Sequence, residues 1–245
     1  MMTLFQHRSK VTFATSCWER DWRTVLLDPE YLKVRQIGNH QYPFFERLLI
    51  INNVDDPALV ERIAQEKVEQ GLLTRVVLAR DVLSYFGLQR SDFNEWQYYN
   101  ALAPLMAIYE ARGDYLLYLT GDVSLRKPVQ WIDKAIRFMQ KRARIKVANL
   151  TWNDNYPEAK KESTRTTWNF YVAEQGFSDQ MFLVKTADFQ APIYGEIRAD
   201  GAHYPRGDVL EKRIFSYMKN RGWARITYRR GSYTHEDGNF FQRKS

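Results

Sequence analysis

Tyr115-Leu116-Leu117-Tyr118-Leu119 is the run that most constrains the fold: five apolar or aromatic residues giving way at once to Thr120-Gly121-Asp122. A short apolar run without polar alternation predicts a strand buried on both faces, as at the centre of a parallel sheet. A helix-like pattern follows over residues 128–142, so Asp122 falls where a central strand ends and a loop begins. In open α/β sheets that edge is where ligands gather. A carboxylate there is suited to hold a divalent cation against phosphate oxygens. The same position also suits a plain turn or capping aspartate.

The rest of the chain repeats this alternation as far as residue 150. Apolar, β-branched runs at 11–17, 47–54, 75–80 and 145–150 predict four more strands. Asp55-Asp56-Pro57 opens a helix whose apolar positions, Leu59, Val60, Ile63, Ala64 and Val68, keep helical spacing to Gly71. Residues 92–112 predict a long helix with Asp92 as N-cap and Gly113 as stop, and 28–35 a short one. Strand and helix in turn imply a Rossmann-like, mostly parallel sheet flanked by helices in a single α/β domain. After Trp152 the regularity breaks. Residues 153–167 are polar and loop-like, 180–186 strand-like, 207–222 a helix between glycines, and 224–229 a last strand before a polar tail. The expected organisation is therefore one domain, with a nucleotide-binding half at 11–150, a half at 151–235 that shapes a site for something else, and a tail at 236–245.

Composition narrows the classes. Of 245 residues, 44% are hydrophobic and 15% aromatic, enough for a packed core and too much for a disordered chain. No apolar run reaches the length of a bilayer span, and the first ten residues lack the apolar centre of a secretory signal. The single cysteine, Cys17, excludes an intrachain disulfide and a multi-cysteine zinc site, which fits a cytoplasmic setting. The net charge of +7 is spread along the chain, with denser stretches at 134–144 and 221–230. These stretches read as solvated faces, so no nucleic acid is expected as a partner. Glycine-rich dinucleotide and phosphate loops and the Gly-x-Ser-x-Gly elbow are all missing from the sequence.

In order and spacing, residues 11–235 resemble glycosyltransferases of the A-type fold, most like the inverting enzymes of family two. The resemblance rests on Asn52-Asn53-Val54-Asp55-Asp56 at the end of the second strand, Thr120-Gly121-Asp122 at the metal-motif position, Asp208 to Glu211 at a late helix start, and His235 after the last strand. Two departures stand out: Thr120 occupies the place of the motif's first acid, and the late acids are separated. The resemblance implies transfer of a sugar from a nucleoside-diphosphate donor to an acceptor hydroxyl, with inversion, as in the building of polysaccharides. It implies Mn²⁺ or Mg²⁺ held by Asp122 with His235. Thr15, Cys17, Asn52, Asn53, Asp55, Gly121 and Asp122 would contact the nucleotide, and Asp208, Glu211 or Asp179 would serve as catalytic base. The acceptor would be a glycan or a lipid-linked sugar, with the basic surface resting against anionic membrane. Asp179, just before an apolar run, is a strand-edge acid in its own right.

Each candidate has a structural reading beside the chemical one. Asp55 or Asp56 can cap the helix that follows, Asp208 can cap the later one, and His235 can be a solvated tail residue. Trp152, Trp168, Tyr171 and Phe177 can line an acceptor cleft or belong to the core. Two other functions compete. A sugar nucleotidyltransferase would carry a glycine-rich basic loop after the first strand, where this chain has Trp18-Glu19-Arg20-Asp21. A non-catalytic nucleic-acid-binding module would cluster cations among exposed aromatics.

Overall fold

The structure is a computed structural model that describes residues 8–174, 176–201 and 210–235. In chain order its elements are β1 (Val11–Cys17), α1 (Trp22–Leu27), a π-helix (Tyr31–Ile37), β2 (Glu46–Ile51), α2 (Pro57–Glu69), β3 (Arg75–Leu78), α3 (Glu95–Glu110), β4 (Tyr115–Leu119) and β5 (Val123–Ser124). There follow α4 (Ile132–Gln140), β6 (Ile145–Trp152), α5 (Tyr156–Lys161), β7 (Arg165–Thr166), β8 (Phe170–Ala173), β9 (Met181–Lys185), α6 (Thr186–Gln190), α7 (Leu210–Asn220) and β10 (Ala224–His235). The strands join in one sheet of order β3-β2-β1-β4-β9-β6-β10-β8-β7, with β5 pairing β10 from outside this path.

The sheet has two flanks. Across β3-β2-β1-β4 every neighbouring pair is parallel. Beyond β4 the chain inserts β9 antiparallel to both β4 and β6. Further out β6 and β10 are parallel, and β8 and β7 turn back antiparallel. The expected helix-covered α/β sheet is present, and the parallel rule holds over its first flank; the second flank makes the sheet mixed. β4 is central, as its all-buried pattern predicts.

Helices cover both faces. One core layer joins Phe13, Leu49, Leu117 and Leu183 to Val25 of α1, Val60 of α2 and Ile136 of α4. The other joins Leu48, Leu116, Phe182 and Val147 to Leu105 of α3, Phe189 of α6 and Ile214 of α7. Strand side chains alternate between layers as the pleat requires, and both layers are apolar because both faces are covered. Among the described residues no helix is long and apolar enough to cross a membrane.

Several boundaries differ from expectation for local physical reasons. α3 starts at Glu95, capped by Asn94: its side chain accepts from the Gln97 N–H while Gln97 reaches back to the Asn94 N–H, a reciprocal capping box. Asp92 is not the cap; it ends a short turn before the helix. Residues 153–167 are not a plain loop, because Asn155 caps α5 and the chain then enters β7. The last strand does not stop at 229: β10 continues past a register shift after Tyr228 and pairs with Thr151, Trp152 and β5 as far as His235. Residues 236–245 lie outside the described residues.

Candidate active site

Asp122 sits on the turn after β4, and its surroundings hold that turn in place. The Val123 N–H donates to Thr120 O at 3.1 Å. The fully buried Gln36 of the π-helix aims its amide nitrogen at three carbonyls of the turn: Val123 O at 2.9 Å, Thr120 O at 3.2 Å and Gly121 O at 3.3 Å. The Tyr31 hydroxyl donates to Gly121 O at 2.8 Å. A helix with widened turns is a common feature of functional sites; here it delivers two side chains to one turn. Gly121 itself is forced by space. A Cβ there would stand 2.5 Å from both Asp21 Oδ2 and Ser16 O, a distance no side chain tolerates.

His235 reaches Asp122 through strand pairing. In the β5–β10 ladder it lies opposite Val123, the residue after Asp122. Its Nε2 is 3.0 Å from Asp122 Oδ2, while the Thr120 hydroxyl donates to Asp122 Oδ1 at 2.7 Å. Burial works to raise the Asp122 carboxyl, but the hydrogen bond and charge of His235 and the hydrogen bond from Thr120 outweigh it and hold the group below its ordinary value.

The two donors fit a hard divalent ion. The pair is hydrogen-bonded at 3.0 Å, so His235 would give up its Nε2 proton to ligate an ion beside Asp122. Among the described residues no three His, Cys, Asp or Glu side chains group into a closed metal cage. Such an ion would therefore complete its shell with phosphate oxygens and water, as Mg²⁺ does in phosphate-handling sites.

A cavity of about 900 Å³ opens over this turn. Cys17, Asn52, Asn53, Gly121, Asp122, Asp179, Glu211 and His235 all line it. Asn52 ends β2's extension with its amide nitrogen donating to Tyr99 O at 2.8 Å, which fixes Oδ1 as an acceptor; Asn53 adopts a left-handed φ of 52°. Burial pushes the Cys17 thiol well up, which makes it an inert small residue rather than a nucleophile.

Two expected residues do not come to the site. Thr15 is buried within β1 and does not line the cavity. Asp55 is exposed and outside it; its N–H donates to Glu19, and its neighbour Asp56 caps α2 by accepting from the Leu59 N–H. The capping reading thus describes that acidic pair. Asp208 lies outside the described residues.

Asp179 and Glu211 form an acid pair facing the Asp122 end. The Asp179 N–H donates to Glu211 Oε1 at 3.1 Å. Burial pushes Asp179 up to about 6. The Asp122 charge adds to the rise, while Glu211 and His235 temper it.

The sequence reading missed two contributors. Asp21, buried on the cavity wall, accepts from the Trp18 N–H at 2.8 Å, and burial raises its carboxyl well above the usual range, with the Asp122 charge adding to it. Its signal was an acid just beyond a strand end. Gln36 gave no signal, because nothing local marks a glutamine as a clamp on a turn 84 or more residues away.

No family model matches the chain, and no curated protein matches it. Solved structures do. A mannosyltransferase from Pyrobaculum calidifontis, in complex with GDP-Man and Mn²⁺, is 15% identical with a TM-score of 0.54, over 96% of this chain and 59% of that one. TarS from S. aureus is 12% identical with a TM-score of 0.50, over 92% of this chain and 36% of that one. GalNAc-T7, with UDP, GalNAc and Mn²⁺, is 12% identical with a TM-score of 0.51, over 94% and 44%. A CMP-2-keto-3-deoxy-manno-octonic acid synthetase complexed with CTP is 13% identical with a TM-score of 0.51, over 92% and 90%. The chain thus spans less than two thirds of the length of each of these three transferases. Sheet order, inserted antiparallel strand and these likenesses together give the conclusion that the chain has the A-type glycosyltransferase fold.

Proposed function

We propose that the protein is a metal-dependent glycosyltransferase that moves a sugar from a nucleoside-diphosphate donor to an acceptor hydroxyl, with inversion. The observation that carries this reading is the Asp122–His235 pair, brought together at the mouth of a central strand. Asp122 and His235 would hold Mn²⁺ or Mg²⁺, and a bound ion supplies charge neutralisation that makes the diphosphate a competent leaving group. Asn52 and Asn53 would face the nucleoside, with Trp96 and Tyr99 of α3 beside them on the cavity wall. The Asp179–Glu211 pair would take the proton from the attacking hydroxyl. An acid whose carboxyl titrates near 6 is ionised at neutral pH yet still basic enough to accept a proton.

The fold is shared with a nucleotidyltransferase, so the loop after β1 separates the two readings. A triphosphate-binding loop needs backbone N–H groups and cations. Here Trp18, Glu19 and Arg20 lead to the buried Asp21 carboxyl, which does not suit a polyphosphate. The lone buried Cys17 is compatible with a cytoplasmic setting. Trp168, 77% exposed on the turn between β7 and β8 and stacked under Arg230 at 5.0 Å, is where contact with anionic lipid would fall. Equal binding to neutral and anionic vesicles would remove that contact from the proposal.

The test is a thermal-shift screen of nucleoside diphosphates with and without Mn²⁺. A ligand that binds only the folded state stabilises it, by about 2.7 kcal/mol at a hundredfold excess over Kd, and so raises Tm. One base should give a metal-dependent shift, and Asp122→Ala should abolish it. No metal-dependent shift with any base refutes the reading.

A further inference from the structure

The cavity extends beyond the acid pair, under α5 and over the shared face of β6 and β10. Asn149, Thr151 and Thr227 floor this arm, and they are only 6%, 2% and 5% exposed. Polar side chains that deep in a sheet cost stability unless hydrogen-bonded. The Thr227 hydroxyl donates to Asn149 Oδ1 at 2.8 Å, leaving the Asn149 amide N–H groups as donors on the cavity side. Thr151 Oγ1 has no hydrogen-bond partner among the described residues. These are groups prepared for a ligand rather than for the sheet.

The charges of the arm are balanced against themselves. Arg225, with its side chain 12% exposed, holds Glu162 Oε2 of the α5 end at 2.6 Å, so its charge is already answered. Glu158 adds a second acid on the same wall. Among the described residues of the arm, an anionic ligand would meet no surplus cation. A ligand of alternating hydroxyls would instead find amide and hydroxyl donors and acceptors on the floor, and the ring of Trp152, 40% exposed at the rim, for its C–H face.

Position completes the argument. Tyr233 pairs with Trp152 at the rim of the arm and donates its hydroxyl to Gln180 Oε1 at 3.3 Å, next to Asp179, whose carboxyl lies within electrostatic reach of Asp122 and His235. The acid pair therefore lies between the Asp122 end and the Arg225 arm, where a base must lie to serve a hydroxyl entering from the arm.

On the transfer reading above, we propose that this arm is the acceptor subsite and that it takes an uncharged saccharide. Its floor of Asn149, Thr151 and Thr227 would bind the ring hydroxyls, and the Arg225–Glu162 pair would fork onto neighbouring ones.

Saturation-transfer NMR tests this on the full chain with Mn²⁺ and the nucleoside diphosphate that gives the thermal shift. The probes are methyl glycosides of neutral hexoses and N-acetylhexosamines, methyl glucuronide and a serine-containing peptide. A neutral glycoside should show transfer, and methyl glucuronide should bind at least tenfold more weakly. Thr227→Val should weaken the neutral glycoside about tenfold while the nucleotide shift stays unchanged; Trp152→Ala, at the exposed rim, repeats the test without touching the core. An intact nucleotide shift with no neutral glycoside engaged overturns the proposal. So do preference for the glucuronide or the peptide, and unchanged glycoside binding in both variants. If the nucleotide shift is itself absent, the transfer reading falls and the subsite assignment falls with it.

Discussion

The two flanks of the sheet present opposite surfaces to the same cavity. On the β3-β2-β1-β4 side, strands pair in parallel with helices between them, and the cavity wall is made of loops that follow strand ends: Cys17, Asn52 and Asp122. On the β9-β6-β10-β8 side the cavity wall includes the sheet face itself, with Asn149, Thr151, Arg225 and Thr227 projecting from mid-strand. Strand-end loops can vary in length and charge without disturbing a core, so they suit a nucleotide held through few fixed contacts. Mid-strand polar residues are bound to the register of their neighbours and lie within the hydrogen-bonded ladder. The second wall is therefore stiffer and more costly, because each polar group it presents is one the core does not bury. Between the walls lies the Asp179–Glu211 pair, just ahead of β9, the strand that joins the flanks.

The largest expected effect comes from breaking that junction. Asp179→Asn should lower kcat by about 10²- to 10⁴-fold if the carboxyl is the base, and it should also stabilise the protein. Asp179 is pushed from 3.8 to about 6 by burial. A carboxyl raised on folding contributes stability that is present below its unfolded value and lost as pH climbs through the folded one. At pH 8 the native protein carries the whole of that cost, about 3 kcal/mol. The variant should then melt about 6–12 °C higher at pH 8, without metal or nucleotide, and the gain should shrink toward zero near pH 4. Loss of activity without the pH-dependent gain in Tm would mean the carboxyl is not held as described.

A smaller effect tests how the first wall is held. Gln36→Leu takes the buried side-chain donor from Val123 O, while Gly121 O keeps the Tyr31 hydroxyl and Thr120 O keeps the Val123 N–H. Unmet buried acceptors cost about 1–3 kcal/mol, so urea unfolding should show a loss of about 2 kcal/mol. Because the turn carries Asp122, the Mn²⁺ concentration for half-maximal nucleotide shift should rise several-fold. Stability lost with unchanged Mn²⁺ dependence would make Gln36 a core residue and nothing more.

The asymmetry of the flanks also explains what could be read from the chain. The 115–119 run predicted a strand buried on both faces because that burial is a local compositional fact, and the central place of β4 follows from it. The 11–17 strand, and the β2 and β3 strands within the expected 47–54 and 75–80, were legible for the same reason. Nothing in 181–185 records that β9 would enter between β4 and β6, since insertion of a strand depends on where distant strands leave a gap. Asp55 looked like a ligand because it is an acid at a strand end, but its turn is used by Glu19 and by the cap of α2. His235 was visible as a residue, yet its approach to Asp122 depends on the β5–β10 register, which no local pattern encodes. The polar floor of Asn149, Thr151 and Thr227 was hidden because three polar residues on two strands look like ordinary exposed positions until the strands are paired.

The smallest effect asks whether the walls are separable. Gly176 has φ +102°, and a Cβ there would stand 3.0 Å from Nη1 and 3.2 Å from Cζ of Arg225. The guanidinium packs where a side chain would otherwise be. Gly176→Ala must therefore strain the backbone and push Arg225 against Glu162, at a cost of about 1–2 kcal/mol. That strain falls first on Arg225 of the second wall, the side chain a Cβ at Gly176 would meet. The Tm should fall by a few degrees, and glycoside binding should weaken several-fold. The Mn²⁺-dependent nucleotide shift, measured as a difference from the variant's own baseline, should stay where it is. If that shift falls in step with Tm, strain passes freely between the flanks, and the picture of a loop-built nucleotide wall independent of a sheet-built acceptor wall does not describe this molecule.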